Sequence, residues 1–232
     1  MYCENNPVGF VDPLGLESYI FYTTGENSDF STQAKWQKQF QERQGEKVIM
    51  RTIDSVNDFK KAWDRIGVDD NGYTVTVNKV IIYSHSNGRS LILLDGSEDD
   101  ALSVNGKNKK GNKIGNLSTL YYKNINELHL LGCNTGNLDL YWDNGNNVAS
   151  VMSKRVSGVT YAYDGNVSFG KSSAKPWDKD IGLSSRLSTR QRSFNRIASA
   201  HNREWRTPMG KIKYYQGEYK LYGYYPNTRL SQ

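Results

Sequence analysis

The sequence predicts an α/β domain built on a mostly parallel sheet, with helices on both faces and a basic, tyrosine-rich C-terminal extension. Three observations carry that expectation. Apolar, β-branched runs alternate with stretches of helical spacing in a β-α-β-α-β order, followed by a further β-α-β, and such an order demands right-handed crossovers between parallel strands. The run Lys79-Val-Ile-Ile-Tyr-Ser84 is apolar at successive positions rather than at alternate ones, as in a strand covered on both faces. Hydrophobic residues make up 37% of the 232-residue chain and aromatics 12%, enough for a packed core and too many for a disordered chain.

The elements follow in order. Residues 1–16 are dense in turn formers, and Asn6-Pro7 and Asp12-Pro13 each force an extended residue before the proline, which reads as a linker or as an element of another body. Residues 18–24 are aromatic and β-branched and predict the first strand. A helix is expected over 31–44, with Ser31 as N-cap and Trp36 and Phe40 along one side. Residues 48–53 predict a second strand, after which Asp54 or Ser55 caps a helix carrying Val56, Phe59, Ala62, Trp63 and Ile66 at three- and four-residue spacing. The strand over 79–84 is followed by a short one over 91–94 and by a polar Asn/Gly/Lys stretch from Asp95 to Lys113. Core strands at 128–132 and 158–163 flank a helix over 147–156. Beyond Asp164 a loop over 168–179, a basic helix over 188–203 and a tyrosine-rich hairpin around Gln216-Gly217 are expected.

Composition excludes several classes. The cysteines are two, Cys3 and Cys133, too few for a disulfide framework and without the CxxC spacing of zinc or thioredoxin-like chemistry. No apolar run is long enough to span a membrane, and no basic-then-apolar leader opens the chain, so neither a membrane partner nor a secretion signal of its own is expected. The net charge is +6, but ten Lys and Arg between Arg186 and Arg229 face two acids there, Glu204 and Glu218, which leaves the rest slightly acidic. That basic segment is interleaved with tyrosines. It reads either as a surface for nucleic acid or an acidic protein, or as a solvated face whose tyrosines pack a small sheet. No spacing in it matches a motif that reads nucleic acid, so nucleic acid is not the expected partner.

Chemistry is expected past the carboxyl ends of parallel strands. Two such ends carry reactive side chains: Tyr83-Ser84-His85-Ser86-Asn87-Gly88, and Leu131-Gly132-Cys133-Asn134-Thr135-Gly136. Neighbouring strands lie about 4.8 Å apart, so two strand ends can bring an imidazole and a thiol together, the arrangement a nucleophile–base pair needs. Gly132 and Gly136 keep the second turn open, with backbone N–H groups available to an oxyanion. His129, inside the strand, reads as structural, and His201 as a surface residue of the tail. The acidic run from Asp95 to Asp100 lacks the EF-hand spacing and reads as a solvated loop, so no metal is expected. No glycine-rich phosphate loop supports a nucleotide cofactor, and none is expected.

Two resemblances add to this reading. Tyr2, Asn5, Asn6, Pro7, Asp12, Pro13, Gly15 and Leu16 resemble the end of the core domain of Rhs and YD-repeat polymorphic toxins. That resemblance implies a self-cleavage motif at Asp12, Pro13, Gly15 and Leu16, a carrier shell around the toxin before release, and a toxin domain from Glu17 onward. The strand–His–turn–Gly and strand–Gly–Cys–Asn–Thr–Gly patterns resemble the caspase-like cysteine peptidases (caspases, gingipains, separases, clostripains), and most of all their CHAT-type bacterial members. This implies a caspase-like domain over 17–167, with Cys133 as nucleophile, His85 as its base and protein as substrate, and a basic extension over 168–232 that packs on it or completes it. The family holds its oxyanion with the cysteine N–H and with that of a glycine directly after the histidine. Here Ser86 occupies that position and the glycine comes at Gly88, so the resemblance implies Gly132, Ser86 and Gly88 as the backbone positions around the oxyanion. Asp164 ends a strand from which such peptidases build a substrate pocket, which would favour basic residues in the substrate. It reads equally as a turn former before Gly165.

The leading expectation is therefore a cysteine peptidase effector delivered into a target cell's cytoplasm, where a free thiol stays reduced, and restrained by a cognate immunity protein. The alternatives are a nuclease toxin gripping nucleic acid with its basic tail, and a non-enzymatic binding module.

Overall fold

The computed structural model describes residues 17–26, 28–68, 72–73, 75–94, 99–138, 146–163, 166–169, 183–186 and 211–221. In chain order the first elements are β1 (Glu17–Tyr22), the short hairpin β2 (Thr24–Gly25) and β3 (Ser28–Asp29), α1 (Ser31–Glu42), β4 (Lys47–Thr52), α2 (Val56–Asp64) and β5 (Val77–Tyr83). A small antiparallel excursion follows, β6 (His85–Ser86), β7 (Ser90–Ile92) and β8 (Ala101–Ser103), with β9 (Gly115–Asn116) added in parallel to β8. Then come β10 (Ile125–Leu131), α3 (Val148–Ser153), β11 (Val159–Tyr163), the pair β12 (Asn166–Phe169) and β13 (Leu183–Arg186), and the hairpin β14 (Lys211–Tyr215) and β15 (Glu218–Leu221).

Seven strands form the central sheet in the order β4-β1-β5-β10-β11-β14-β15. The first five are mutually parallel, and the terminal hairpin joins the edge of β11 antiparallel. The fold is thus mixed α/β with a mostly parallel sheet. The inner strands β1 and β5 are buried at successive positions because both faces of the sheet are covered there. Val80 and Ile82 of β5 enter one core with Phe21, Phe59, Trp63, Leu128, Leu130, Val148 and Met152. Ile81 and Tyr83 enter a second, smaller core with Ile20, Phe30, Ala34, Leu131 and Tyr163. Helices α2 and α3 therefore lie on one face and α1 on the other.

Local chemistry explains most element ends. Ser55 caps α2, its hydroxyl accepting the Asp58 N–H at 3.0 Å, and Asp100 accepts the Val56 N–H at 3.1 Å. Asn147 and Ser150 form a reciprocal capping box at the start of α3. Helix α1 differs from expectation: Ser31 is its first helical residue and Phe30 the N-cap, because the Asp29 carboxylate already accepts the Ser31 N–H at 2.8 Å. Its fully buried residues are Ala34 and Gln41, with Trp36 and Phe40 half-buried. The stretch over 95–113, expected to be only polar loop, contains β8, whose three residues are too few to show a period and whose place is set by the β7 ladder. Residues 168–169, expected in a loop, belong to β12. The expected basic helix over 188–203 lies outside the described residues. No helix among the described residues is long and apolar enough to cross a membrane.

Trp63 anchors α2. It is fully buried, stacks on Phe59 at 6.0 Å, and donates its indole N–H to the Tyr121 carbonyl at 2.8 Å. Trp63→Ala is expected to lower the unfolding free energy by about 3–5 kcal/mol in urea titration, since it empties a buried site and orphans a carbonyl. A loss below about 1 kcal/mol would show that this contact is not part of the core.

Candidate active site

Strands β5 and β10 are adjacent and parallel, with Leu130 opposite Ile82 and Leu131 opposite Tyr83. Each chain then leaves the sheet, and two residues beyond the last matched pair lie His85 and Cys133. Both sit on the α1 face. His85 is half-buried and meets Phe30 edge-on at 5.4 Å between ring centroids, while Cys133, half-buried, packs against the smaller core that contains Phe30 and Tyr83. Tyr83 floors the site. Burial, with the neighbouring Tyr163 hydroxyl adding to it, raises its phenol well above the ordinary tyrosine range, so it stays neutral.

The two turns touch. A Cβ on Gly132 would lie 2.7 Å from the Ser84 carbonyl oxygen and 3.2 Å from Ser86 Cβ, so only glycine lets the turns approach this closely. Asn134, next to the thiol, adopts a left-handed φ of 57°, which asparagine tolerates better than most residues. Thr135 then ties the turn to its surroundings. Its buried hydroxyl is shared between the carbonyls of Leu130 (3.3 Å) and Gly132 (3.2 Å) and accepts the Tyr163 N–H at 3.3 Å. Gly136 donates its N–H to the Tyr163 carbonyl at 2.9 Å, which stitches the turn to β11.

Helix α3 and the terminal hairpin brace both turns. The Val148 N–H donates to the Gly88 carbonyl at 3.0 Å and the Ala149 N–H to the Thr135 carbonyl at 2.9 Å, so one helix start holds the histidine loop and the cysteine loop together. Tyr214 of β14, fully buried, donates its hydroxyl to the Gly136 carbonyl at 3.2 Å and accepts from Asn147 Nδ2 at 2.7 Å. Asn147 Nδ2 also donates to the Asn137 carbonyl at 2.9 Å.

The expected oxyanion donors separate. The Gly88 N–H donates to Ser86 Oγ at 3.1 Å and its carbonyl is taken by Val148, so Gly88 shapes the turn and does not offer its N–H to a substrate. Ser86 stands differently. Asn87 donates to the Ser90 carbonyl, which makes the next pair, Ser86 with Leu91, a non-hydrogen-bonded one whose N–H and C=O turn away from β7. Asp164 lies outside the described residues, as do Asp12, Pro13, Gly15, Leu16 and His201.

His129 is away from the turns, paired with Glu127 Oε2 at 2.9 Å and stacked on Tyr161 at 4.8 Å. Among the described residues no group of three or more His, Cys, Asp or Glu is placed to hold a metal ion. Of the acidic run, Asp100 caps α2 and Asp99 accepts from Asn108 Nδ2 at 2.8 Å. Residues 95–98 lie outside the described residues.

Sequence reasoning missed Thr135, Asn147, Tyr214 and Phe30. The Cys-Asn-Thr-Gly string carried a hint of Thr135, whereas Tyr214 acts on Gly136 across 78 positions and leaves no local signal. No family model, curated protein or solved structure matches the chain.

Thr135→Val keeps the shape of the side chain but leaves three buried backbone groups without their hydroxyl partner. It is expected to cost about 1–3 kcal/mol of stability, with Thr135→Ser near wild type, as measured by thermal and urea unfolding. Gly132→Ala is expected to destabilise as well, because a backbone oxygen must move. Wild-type stability in both Thr135→Val and Gly132→Ala would contradict the bracing described above.

Proposed function

We propose that this chain is a cysteine peptidase of caspase-like architecture in which Cys133 is the nucleophile and His85 the general base. The observation that carries the reading is the parallel register of β5 and β10, from whose neighbouring carboxyl ends His85 and Cys133 emerge onto one face of the sheet. A thiol is only slightly ionised at neutral pH, so attack needs a base close by. In the proposed reaction His85 takes the Cys133 Sγ proton and the thiolate adds to the peptide carbonyl carbon. The resulting oxyanion is met by backbone N–H groups of the cysteine turn and of Ser86. The C–N bond then breaks as the imidazolium returns its proton to the departing amine. Water, deprotonated by His85, hydrolyses the thioester and frees the thiol. Phe30, itself packed beside Tyr83, meets the imidazole edge-on, which favours a defined ring orientation.

We further propose that the domain is the toxic part of an Rhs-type polymorphic toxin, freed from its carrier shell and active in the reducing cytoplasm of a target cell. A cognate immunity protein restrains it. What supports this is the Tyr-x-x-Asn-Asn-Pro and Asp-Pro-x-Gly-Leu string over 2–16, together with a nucleophile that must stay a free thiol.

The test is inducible expression of the full chain in bacteria, with mapping of new protein N-termini. Wild type is expected to stop growth and generate new N-termini, while Cys133→Ala and His85→Ala each lose activity by at least about a thousand-fold with unchanged unfolding temperature. If Cys133→Ala remains fully toxic, or wild type kills without new N-termini, the peptidase reading is wrong. A nuclease would show DNA or RNA breakage that is indifferent to Cys133.

A further inference from the structure

Beside the histidine turn, the β6–β7 loop and the loop after β8 enclose a cleft of about 370 Å³. Arg89, Lys107 and Lys109 line it. So do three asparagines, whose side-chain oxygens are already spent on the local backbone. Asn87 Oδ1 accepts the N–H groups of Arg89 (3.0 Å) and Ser90 (2.9 Å), and Asn105 Oδ1 accepts that of Lys107 (3.1 Å). Asn108 Oδ1 accepts those of Lys110 (3.0 Å) and Asn112 (2.9 Å), while its amide nitrogen donates to Asp99. With these acceptors consumed in shaping the loops and the Asn108 amide spent on Asp99, what Arg89 and Lys107 bring to the cleft is positive charge and hydrogen-bond donors. A cleft rich in donors and positive charge selects an anion.

We propose that this cleft is a subsite for an acidic residue of the protein substrate, close to the bond that is cut. The assignment of a peptide rests on the peptidase reading: Asn87, on the near wall of the cleft, follows His85 by two residues, so the cleft and the histidine belong to the same turn. The volume accommodates one or two carboxylate side chains. Nucleic acid fits less well: none of the described residues lining the cleft is aromatic, and a groove for single strands stacks its bases on rings. The subsite complements the site chemically, since Arg89 and Lys107 are exposed cations whose pull on an acidic segment acts over about 8 Å at physiological salt and orients it before the thiol attacks.

Two measurements on the full chain test this. In the first, Cys133→Ala protein is titrated into a fluorescein-labelled decapeptide of alternating Glu and Ser, its Gln-for-Glu counterpart, and a single-stranded deoxyoligonucleotide, with binding read by anisotropy. The acidic peptide is expected to bind better than its Gln counterpart, more weakly as salt rises, and about ten-fold more weakly when Arg89→Gln and Lys107→Gln are added. Unfolding temperature checks that the variants stay folded. In the second, N-termini generated by wild type are expected to show Asp or Glu enriched near the cuts, with that enrichment lost in Arg89→Gln/Lys107→Gln. Oligonucleotide binding that depends on Arg89 and Lys107 without peptide binding overturns the proposal, and so does binding of neither probe. Cuts without acidic enrichment overturn the subsite and leave the peptidase reading standing. Peptide binding that depends on Arg89 and Lys107, with no cuts by wild type, keeps the anion-binding cleft and removes the peptidase.

Discussion

The parallel pairing of β5 with β10 sets where His85 and Cys133 emerge, and most of the remaining architecture serves to hold that pairing. Side chains alternate between faces along a strand, so a slip of one residue in either strand would send His85 or Cys133 to the opposite side of the sheet. The two cores oppose such a slip. Val80, Ile82, Leu128 and Leu130 fill the α2/α3 side while Ile81, Tyr83 and Leu131 fill the α1 side, and a shift would bring His129, paired with Glu127, into the larger apolar core. Uncovering those apolar faces costs about 25 cal/mol per Å² of surface returned to water, which makes the register a global property rather than a local one.

Register alone does not fix the turns. Once the strands end, the backbone must find partners outside the sheet, and here Thr135, Gly136 and α3 provide them. The Thr135 hydroxyl and the Gly136 N–H bind the cysteine turn to β11, and the first two N–H groups of α3 bind it to the histidine turn. The terminal hairpin adds a second layer through Tyr214, whose hydroxyl sits between Gly136 and Asn147. The C-terminal strands are therefore structural members of the site, although they lie on the far side of β11 from Cys133.

Much of this was legible in the sequence, for reasons that vary with range. Strand β5 was visible because a doubly covered strand is apolar at successive positions, as in Val80-Ile-Ile-Tyr83, and β1 because its residues are aromatic and β-branched. Helix α2 was visible because Ser55 and the spacing of Phe59, Ala62 and Trp63 agree. The start of α1 was misread because Asp29, two residues before Ser31, accepts the Ser31 N–H and the helix begins one residue earlier than a Ser31 cap would place it. Strand β8 was invisible because three residues hold no period. Gly88 was expected to offer a donor, yet its neighbour Ser86 captures that N–H, a competition that composition cannot reveal. The ties of Tyr214 and Asn147 to the cysteine turn depend on distant parts of the chain meeting, and no local pattern encodes them.

The central claim is that His85 acts on Cys133, and the alkylation rate of Cys133 tests it most directly. Iodoacetamide labelling of the folded full chain at pH 7, followed by mass spectrometry at the Cys133 peptide, compares wild type with His85→Ala. A histidine that accepts the thiol proton as the sulfur attacks speeds alkylation, so the account predicts a rate that falls by about ten-fold when His85 is removed. Equal rates in the two folded proteins would show that the histidine does not reach the sulfur, and would contradict the account.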